Sequence, residues 1–283
     1  MAHSTPLVLV LGATGKTGSR VARNLTARGL AVRTAARAGT DVRFDWDKPG
    51  TYAPALDGVE RVYLLGPVLR TDFAGQVTMF LDRAESAGVG HITYLSAYGV
   101  DSAPPLMAMR RVELDLFGRQ GFTHCILRPA WFMQNFTETF LKPVDGAIVV
   151  PTGDGAEAFV DAEDIAAVAA ATLADPDAHA SAQYAPTGPE ALTVADAATT
   201  ISKITGQTIT HVDLDRDAWI AGAVAGGIPA EYGAVLRILT ETISTGHGAR
   251  PTNDVEKVTG VAPTSFADFA HRTATSWAPD ESR

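Results

Sequence analysis

Leu7-Val8-Leu9-Val10-Leu11-Gly12-Ala13-Thr14-Gly15-Lys16-Thr17-Gly18 is the stretch whose reading decides the fold class. Its first five residues are apolar without alternation, as a strand buried on both faces requires. Three glycines follow, three positions apart. From Thr17 to Arg28, Val21 and Leu25 share one side while Arg20, Arg23 and Arg28 share the other, and Gly29 closes the run. That is an amphipathic helix with a glycine C-terminal cap. Strand, glycine turn and helix in this order make a cradle for a pyrophosphate. Glycine removes side chains that would hold phosphates off the backbone, and the helix N-terminus offers N–H groups and a partial positive charge. The rival reading of Gly15-Lys16-Thr17 as the end of a P-loop needs a glycine five positions before Gly15, where Val10 stands.

Outward from the turn, strands and helices alternate. Strands are predicted at Ala31 to Ala36, Val42 to Asp45, Arg61 to Leu65, His91 to Leu95 and Thr123 to Leu127. Helices are predicted at Thr71 to Ala87 and, with Pro105 in the first turn, at Pro104 to Gln120. This alternation implies a Rossmann-type, doubly wound parallel sheet in an α/β fold. Beyond it, Asp161 to Asp164 caps an alanine-rich helix to Ala174, Gln183 to Ala185 forms a further strand, and Thr193 starts a helix ending near Gly206. The remainder reads as helical pieces broken by Gly226-Gly227, Pro229, Gly246 to Gly248 and Pro263. The expected division is a dinucleotide-binding domain over 1–150 and, over 151–283, the last sheet elements with a smaller, mainly helical substrate-covering portion.

Composition narrows the function classes. The 283 residues are 46% hydrophobic and 19% charged, with a net charge of −9, which argues against a phosphate-backbone partner such as nucleic acid. No apolar run is long enough for a membrane span, Met1-Ala2-His3-Ser4 lacks the look of a secretory leader, and the one cysteine, Cys125, sits in an apolar run as a core residue. A cytoplasmic protein is expected, and a homodimer is compatible with the sequence. The seven histidines show no metal-ligand spacing, so no metal is expected.

In open parallel sheets the ligand sits past the carboxyl ends of the strands. Candidate cofactor contacts are therefore Gly12, Thr14, Gly15, Lys16, Thr17 and Gly18 in the turn, with Gly66, Pro67, Ser96 and Pro129 just past later strands. An acidic residue usually ends the second strand to bind the ribose hydroxyls of NAD; here Arg37 stands in that place, and its guanidinium suits a 2′-phosphate, with Lys16 assisting. NADP(H) is expected in preference to NAD(H), which remains the alternative. Asp45 and Trp46 are candidates to flank the adenine.

The glycine turn, Arg37, Leu95-Ser96-Ala97 and Leu127-Arg128-Pro129 together resemble the NmrA-like family of atypical short-chain dehydrogenase/reductases. The stretches Trp131-Phe132-Met133-Gln134-Asn135-Phe136 and Phe159-Val160-Asp161-Ala162-Glu163-Asp164-Ile165 resemble a branch with fungal ergot-alkaloid reductases and bacterial relatives. The resemblance spans nearly the whole chain. It implies a reductase of quinones, conjugated ketones or iminium compounds, with a tailoring role on an aromatic polyketide or other secondary metabolite. It equally admits a regulator that binds the dinucleotide without turning it over.

Ordinary short-chain dehydrogenases pair Tyr and Lys four apart, the lysine easing proton donation by the phenol. The residues four before Lys16, Lys48, Lys142, Lys203 and Lys257 are Gly12, Phe44, Glu138, Thr199 and Asn253, so the pair is absent. A lysine that some family members carry on the helix before the sixth strand is replaced by Met109, followed by Arg110 and Arg111. Ser96 and Tyr98 remain as catalytic candidates. Tyr98, Trp131, Phe132, Gln134 and Asn135 are the candidate contacts for a small, flat aromatic substrate, the aromatic rings by stacking and the amides by orienting a polar group. Core packing and helix capping are the competing roles. A hydrolase elbow at Ser96 is excluded by Tyr94 in place of its leading glycine.

Overall fold

The computed structural model describes residues 5–278; Met1–Ser4, on which the leader reading rests, lie outside the described residues. In chain order the first elements are β1 (Leu7–Leu11), α1 (Gly18–Ala27), β2 (Ala31–Ala36), β3 (Val42–Arg43), α2 (Tyr52–Leu56), β4 (Arg61–Leu65), α3 (Ala74–Ser86), β5 (His91–Leu95), α4 (Ala108–Gly118) and β6 (Thr123–Leu127). Then come α5 (Asn135–Glu138), β7 (Ala147–Val149), β8 (Ala156–Glu157), α6 (Ala162–Ala174), β9 (Gln183–Tyr184), β10 (Leu192–Thr193) and α7 (Val194–Thr205). The last are β11 (Thr210–Val212), α8 (Arg216–Ala225), α9 (Gly233–Ser244), α10 (Asp254–Thr259) and α11 (Phe266–Arg272).

The chain forms two compact units. Among the described residues the first comprises 5–129, Ala162–Pro186 and Asp254–Gly260; the second comprises Ala130–Asp161, Thr187–Asn253 and 261–278. The division expected at residue 150 is a single cut, whereas these units alternate along the sequence.

The first unit is built on a seven-stranded sheet in the order β3-β2-β1-β4-β5-β6-β9, parallel throughout. Strand β1 is apolar without alternation, and the interiors of β4, β5 and β6 are buried, because both faces of the sheet are covered. Leu9, Leu11, Val62, Leu64, Ile92 and Tyr94 pack with α2, α3 and α4 on one face. Val8, Val10, Tyr63, Cys125 and Leu127 pack with α1, α6 and α10 on the other. Helix α6 is buried almost all round, which its alanines permit. Burial also pushes the Cys125 thiol up to about 12, leaving it an inert core group.

Helix α4 corrects the expected start at Pro104. Pro104 to Met107 form a turn, with the Met107 N–H on the Pro104 carbonyl at 2.9 Å, and Met107 is still extended at φ −63°, ψ 131°. Consecutive prolines withhold N–H donors and push the residue before each of them away from the helical region, so the helix waits for Ala108. Helix α3 likewise begins at Ala74, three residues later than expected.

The second unit has its own core. Met133, Phe136, Ile148, Phe159, Ile201, Phe266 and Phe269 are buried together, and the Phe136 ring meets those of Phe159 and Phe266 edge-on at 5.1 and 4.9 Å. Two small ladders frame it: β8 with β10, antiparallel, and β7 with β11, parallel. Helix α7 starts where expected because Thr193 and Asp196 form a reciprocal capping box. No described helix is long and apolar enough to cross a membrane.

Candidate active site

Strand order in the first unit reverses between β1 and β4, the point at which such sheets take a dinucleotide. The glycine turn lies at the carboxyl end of β1. Gly12 has φ +61°, and its carbonyl accepts the Gly15 N–H at 2.8 Å. A Cβ on Gly18 would lie 2.3 Å from the Gly12 oxygen, so α1 approaches the strand only because that atom is missing. A Cβ on Gly15 would meet nothing but the Gly12 oxygen, at 3.2 Å, and Thr14 and Gly15 are exposed. Thr17, at the N-terminus of α1, is helical and buried, and its side chain makes no capping hydrogen bond. An exposed glycine face beside an uncapped helix start fits a pyrophosphate, which supplies the missing acceptors. The Lys16 carbonyl is held from behind by the Arg20 guanidinium at 2.6 Å.

The neighbouring strand ends complete this edge. Arg37, past β2, is exposed. Asp47 is held below the usual carboxylate range first by its hydrogen bond from Arg70, with the charge of Arg37 a lesser cause. Asp45 accepts the Asp47 N–H at 3.1 Å and so shapes its own loop. Trp46 is half-buried in an aromatic cluster, 4.9 Å from Phe44 and 5.8 Å from Tyr52. Both adenine candidates therefore have structural work in the turn after β3. A Cβ on Gly66 would fall 2.6 Å from the Phe73 ring, which explains a glycine at the end of β4.

Past β5, Ser96 is held twice. Its N–H donates to the Leu127 carbonyl at 2.7 Å, and its hydroxyl donates to Glu113 Oε1 at 2.7 Å. Glu113, on α4, is fully buried. Arg128 grips it through Nε on Oε1 at 2.8 Å and Nη2 on Oε2 at 3.0 Å, and Arg110 adds Nη1 on Oε2 at 2.8 Å. The one proton of the Ser96 hydroxyl thus already serves a buried carboxylate. Tyr94, two residues earlier, is pushed far up first by burial and then by the Glu113 charge, so it stays a neutral phenol. Tyr98 is half-buried, and its N–H donates to the Pro129 carbonyl at 3.0 Å.

With this geometry in hand, the comparisons with known proteins are decisive. Residues 12–176 match the NAD(P)H-binding family model, and residues 111–270 match the model of the NmrA-like family. The chain belongs to the NmrA-like family. It is 36% identical to the uncharacterized oxidoreductase YesF of Bacillus subtilis, across 95% of this chain and 96% of that one. It is 31% identical to the festuclavine dehydrogenase easG of Aspergillus fumigatus, across 95% and 98%. In fold it resembles the triphenylmethane reductase of Citrobacter sp., solved with NADP(H), at a TM-score of 0.77 and 21% identity, across 95% of this chain and 99% of that one. This NmrA-like protein is thus an NAD(P)H-dependent oxidoreductase.

The remaining candidates of this NmrA-like chain lie in the second unit. Trp131 and Phe132 are half-buried, and Phe132 bridges to Val160. Gln134 is only 2% exposed, and its amide donates to Asp161 Oδ1 at 2.7 Å. Asp161 is itself buried and paired with Arg272. A buried amide on a buried carboxylate fixes the loop, which corrects Gln134 as an open substrate contact. Asn135 opens α5, and its Oδ1 accepts from the Thr139 hydroxyl at 2.9 Å.

Two groups escaped the sequence reading. Glu113 was not singled out, although it lies on the stripe of Met109, Val112 and Leu116 that faces inward on α4. Glu157 is 1% exposed, accepts the Trp131 N–H at 3.2 Å, and is pushed up to about 7 by burial. No motif marks it.

Proposed function

We propose that the protein reduces a small, flat aromatic electrophile (a quinone, a conjugated ketone or an iminium) with NADPH as preferred reductant. The observation that carries this reading is the commitment of the Ser96 proton to Glu113, in a chain without a Tyr-x-x-x-Lys pair. An edge so poor in proton donors suits acceptors that need little acid help. A reduced quinone is a stabilised oxyanion, and an iminium gains hydride without protonation. Relatives named for festuclavine and triphenylmethane substrates favour the same class. A tailoring role in secondary metabolism is inferred from the likeness to the clavine dehydrogenases.

In this reading Gly12, Thr14, Gly15, Thr17 and Gly18 hold the pyrophosphate, Arg37 and Lys16 the 2′-phosphate, and Gly66, Pro67 and Pro129 line the nicotinamide side. When bound, the reduced dinucleotide supplies a hydride. The chain contributes orientation, which by itself is worth much of the barrier in a transfer between two held partners. Tyr98 offers a hydroxyl to a substrate oxygen, and Trp131 and Phe132 offer ring surface.

The test is cofactor consumption by the purified protein with quinones, polycyclic aromatic ketones and cyclic imines, using NADPH and NADH in parallel. Turnover on one class supports the reading. The missing Tyr/Lys pair is also what a non-catalytic redox sensor would show, and that rival predicts tight binding with no consumption on any acceptor. Arg37→Ala should weaken NADPH far more than NADH, and equal losses would remove the 2′-phosphate assignment.

A further inference from the structure

We propose that Glu113, clamped by Arg128 and Arg110, is a positioning residue that makes Ser96 a hydrogen-bond acceptor for the nicotinamide half of the bound cofactor. This rests on the dinucleotide site of the first unit described above. A serine hydroxyl has one proton and two lone pairs. Here the proton is spent inward on Glu113 Oε1, and the Ser96 backbone is pinned to β6 through the Leu127 carbonyl. The hydroxyl of this buried residue therefore has only lone pairs left to offer a ligand. Among the described residues no donor occupies them.

The carboxylate cannot release that proton to another task. Oε1 takes Ser96 and Arg128 Nε, Oε2 takes Arg128 Nη2 and Arg110 Nη1, and Glu113 has no exposed surface. Four donors on two oxygens saturate it, so rotating Ser96 away would cost a charge-assisted hydrogen bond in the interior. Arg128 is itself nine-tenths buried at its side chain and follows β6 directly, while Ser96 follows β5. Both thus sit on the half of the sheet, β4-β5-β6, that receives the second mononucleotide in this topology. That mononucleotide carries the matching donors: the amide N–H groups of its carboxamide and the hydroxyls of its ribose.

The test titrates NADPH, and its adenine-side fragment adenosine 2′,5′-bisphosphate, into wild type, Ser96→Ala, Ser96→Cys and Arg128→Lys, following fluorescence. Ser96→Ala should raise the NADPH Kd about tenfold, the cost of leaving one partly buried donor unpaired, and leave the fragment unchanged. Ser96→Cys fills the same space with a poor acceptor and should behave like Ser96→Ala. Arg128→Lys keeps a charge on Glu113 without the fork and should weaken NADPH by an intermediate amount, again sparing the fragment. The 3-acetylpyridine analogue, which lacks the amide N–H donors, distinguishes the two sources. If the Ser96→Ala penalty vanishes with it, the donor is the carboxamide; if the penalty persists, it is a ribose hydroxyl. Unchanged NADPH affinity in both Ser96 variants, or equal losses for NADPH and fragment, would overturn the proposal. Failure of wild type to bind either molecule would instead overturn the underlying site.

Discussion

Replacing Arg128 by methionine should be among the most damaging single changes in the first unit. Arg128 supplies two of the four donors on a carboxylate without exposed surface, at 2.8 and 3.0 Å, from a side chain that is itself only 10% exposed. Breaking a buried pair by deleting one partner costs roughly 3–5 kcal/mol, because the other charge stays in the interior. Arg110 and Ser96 still hold Glu113 in the variant, so the lower end, about 3 kcal/mol, is expected. Methionine keeps most of the volume, which limits any cavity contribution. Glu113→Leu strands two guanidiniums instead, but Arg110 is 19% exposed and can turn to water. The double variant, with methionine against leucine, should recover a large part of the summed loss. Urea unfolding followed by circular dichroism, with the coupling energy taken from the double-mutant cycle, measures this. A loss under about 1 kcal/mol for Arg128→Met, or strict additivity in the cycle, would refute the claim that this cluster is a buried, mutually dependent unit.

Three further outcomes are expected. Gly18→Ala places a methyl 2.3 Å from the Gly12 oxygen, so the turn must open; NADPH affinity by titration should fall at least tenfold, and a wild-type affinity would show that the turn does not bind phosphate. His91 is buried between the Thr123 and Thr93 hydroxyls and is lowered to about 4, chiefly by burial, so the unfolded chain binds the proton more readily. Its stabilisation is complete above pH 6.5 and is lost as the pH falls toward 4, by about 3 kcal/mol; His91→Gln should flatten that limb of a stability–pH curve. Glu157 has the opposite sign. Its folded-state value of about 7 makes stability fall as pH rises from 4.5 to 7, so the stability of Glu157→Gln relative to wild type should climb through that window, as thermal unfolding at stepped pH would show.

The parallel sheet was readable from the sequence because its central strands are buried on both faces, which at β1 leaves the uninterrupted apolar run Leu7 to Leu11 and at β6 still leaves Cys125-Ile126-Leu127. The same logic fails for β8 and β10, two residues each, whose pairing of Glu157 with Leu192 has no periodicity to display. The glycine turn was readable because backbone geometry forces residue identity there: Gly12 at φ +61° and Gly18 without room for a Cβ. Glu113 was not, since a glutamate between valine and leucine on a helix is ordinarily a solvated position, and only the tertiary approach of Arg128 makes its burial tolerable. Gln134 shows the converse. A polar residue in an aromatic stretch suggests a ligand contact, yet Asp161 claims it from a distant part of the sequence.

The chain passes between its two compact units at Pro129–Ala130, Asp161–Ala162, Pro186–Thr187, Asn253–Asp254 and Gly260–Val261. During synthesis, β1 to β6 emerge first, yet one face of their sheet is covered by α6 and α10, which are made later and are separated by stretches of the other unit. A nascent chain halted before Asp254 still leaves part of that apolar face wet, a surface for chaperones to hold. Gene splitting meets the same obstacle. No single cut yields two fragments that each own a finished core, so a shuffled ancestor or an engineered chimera must exchange three segments together or none.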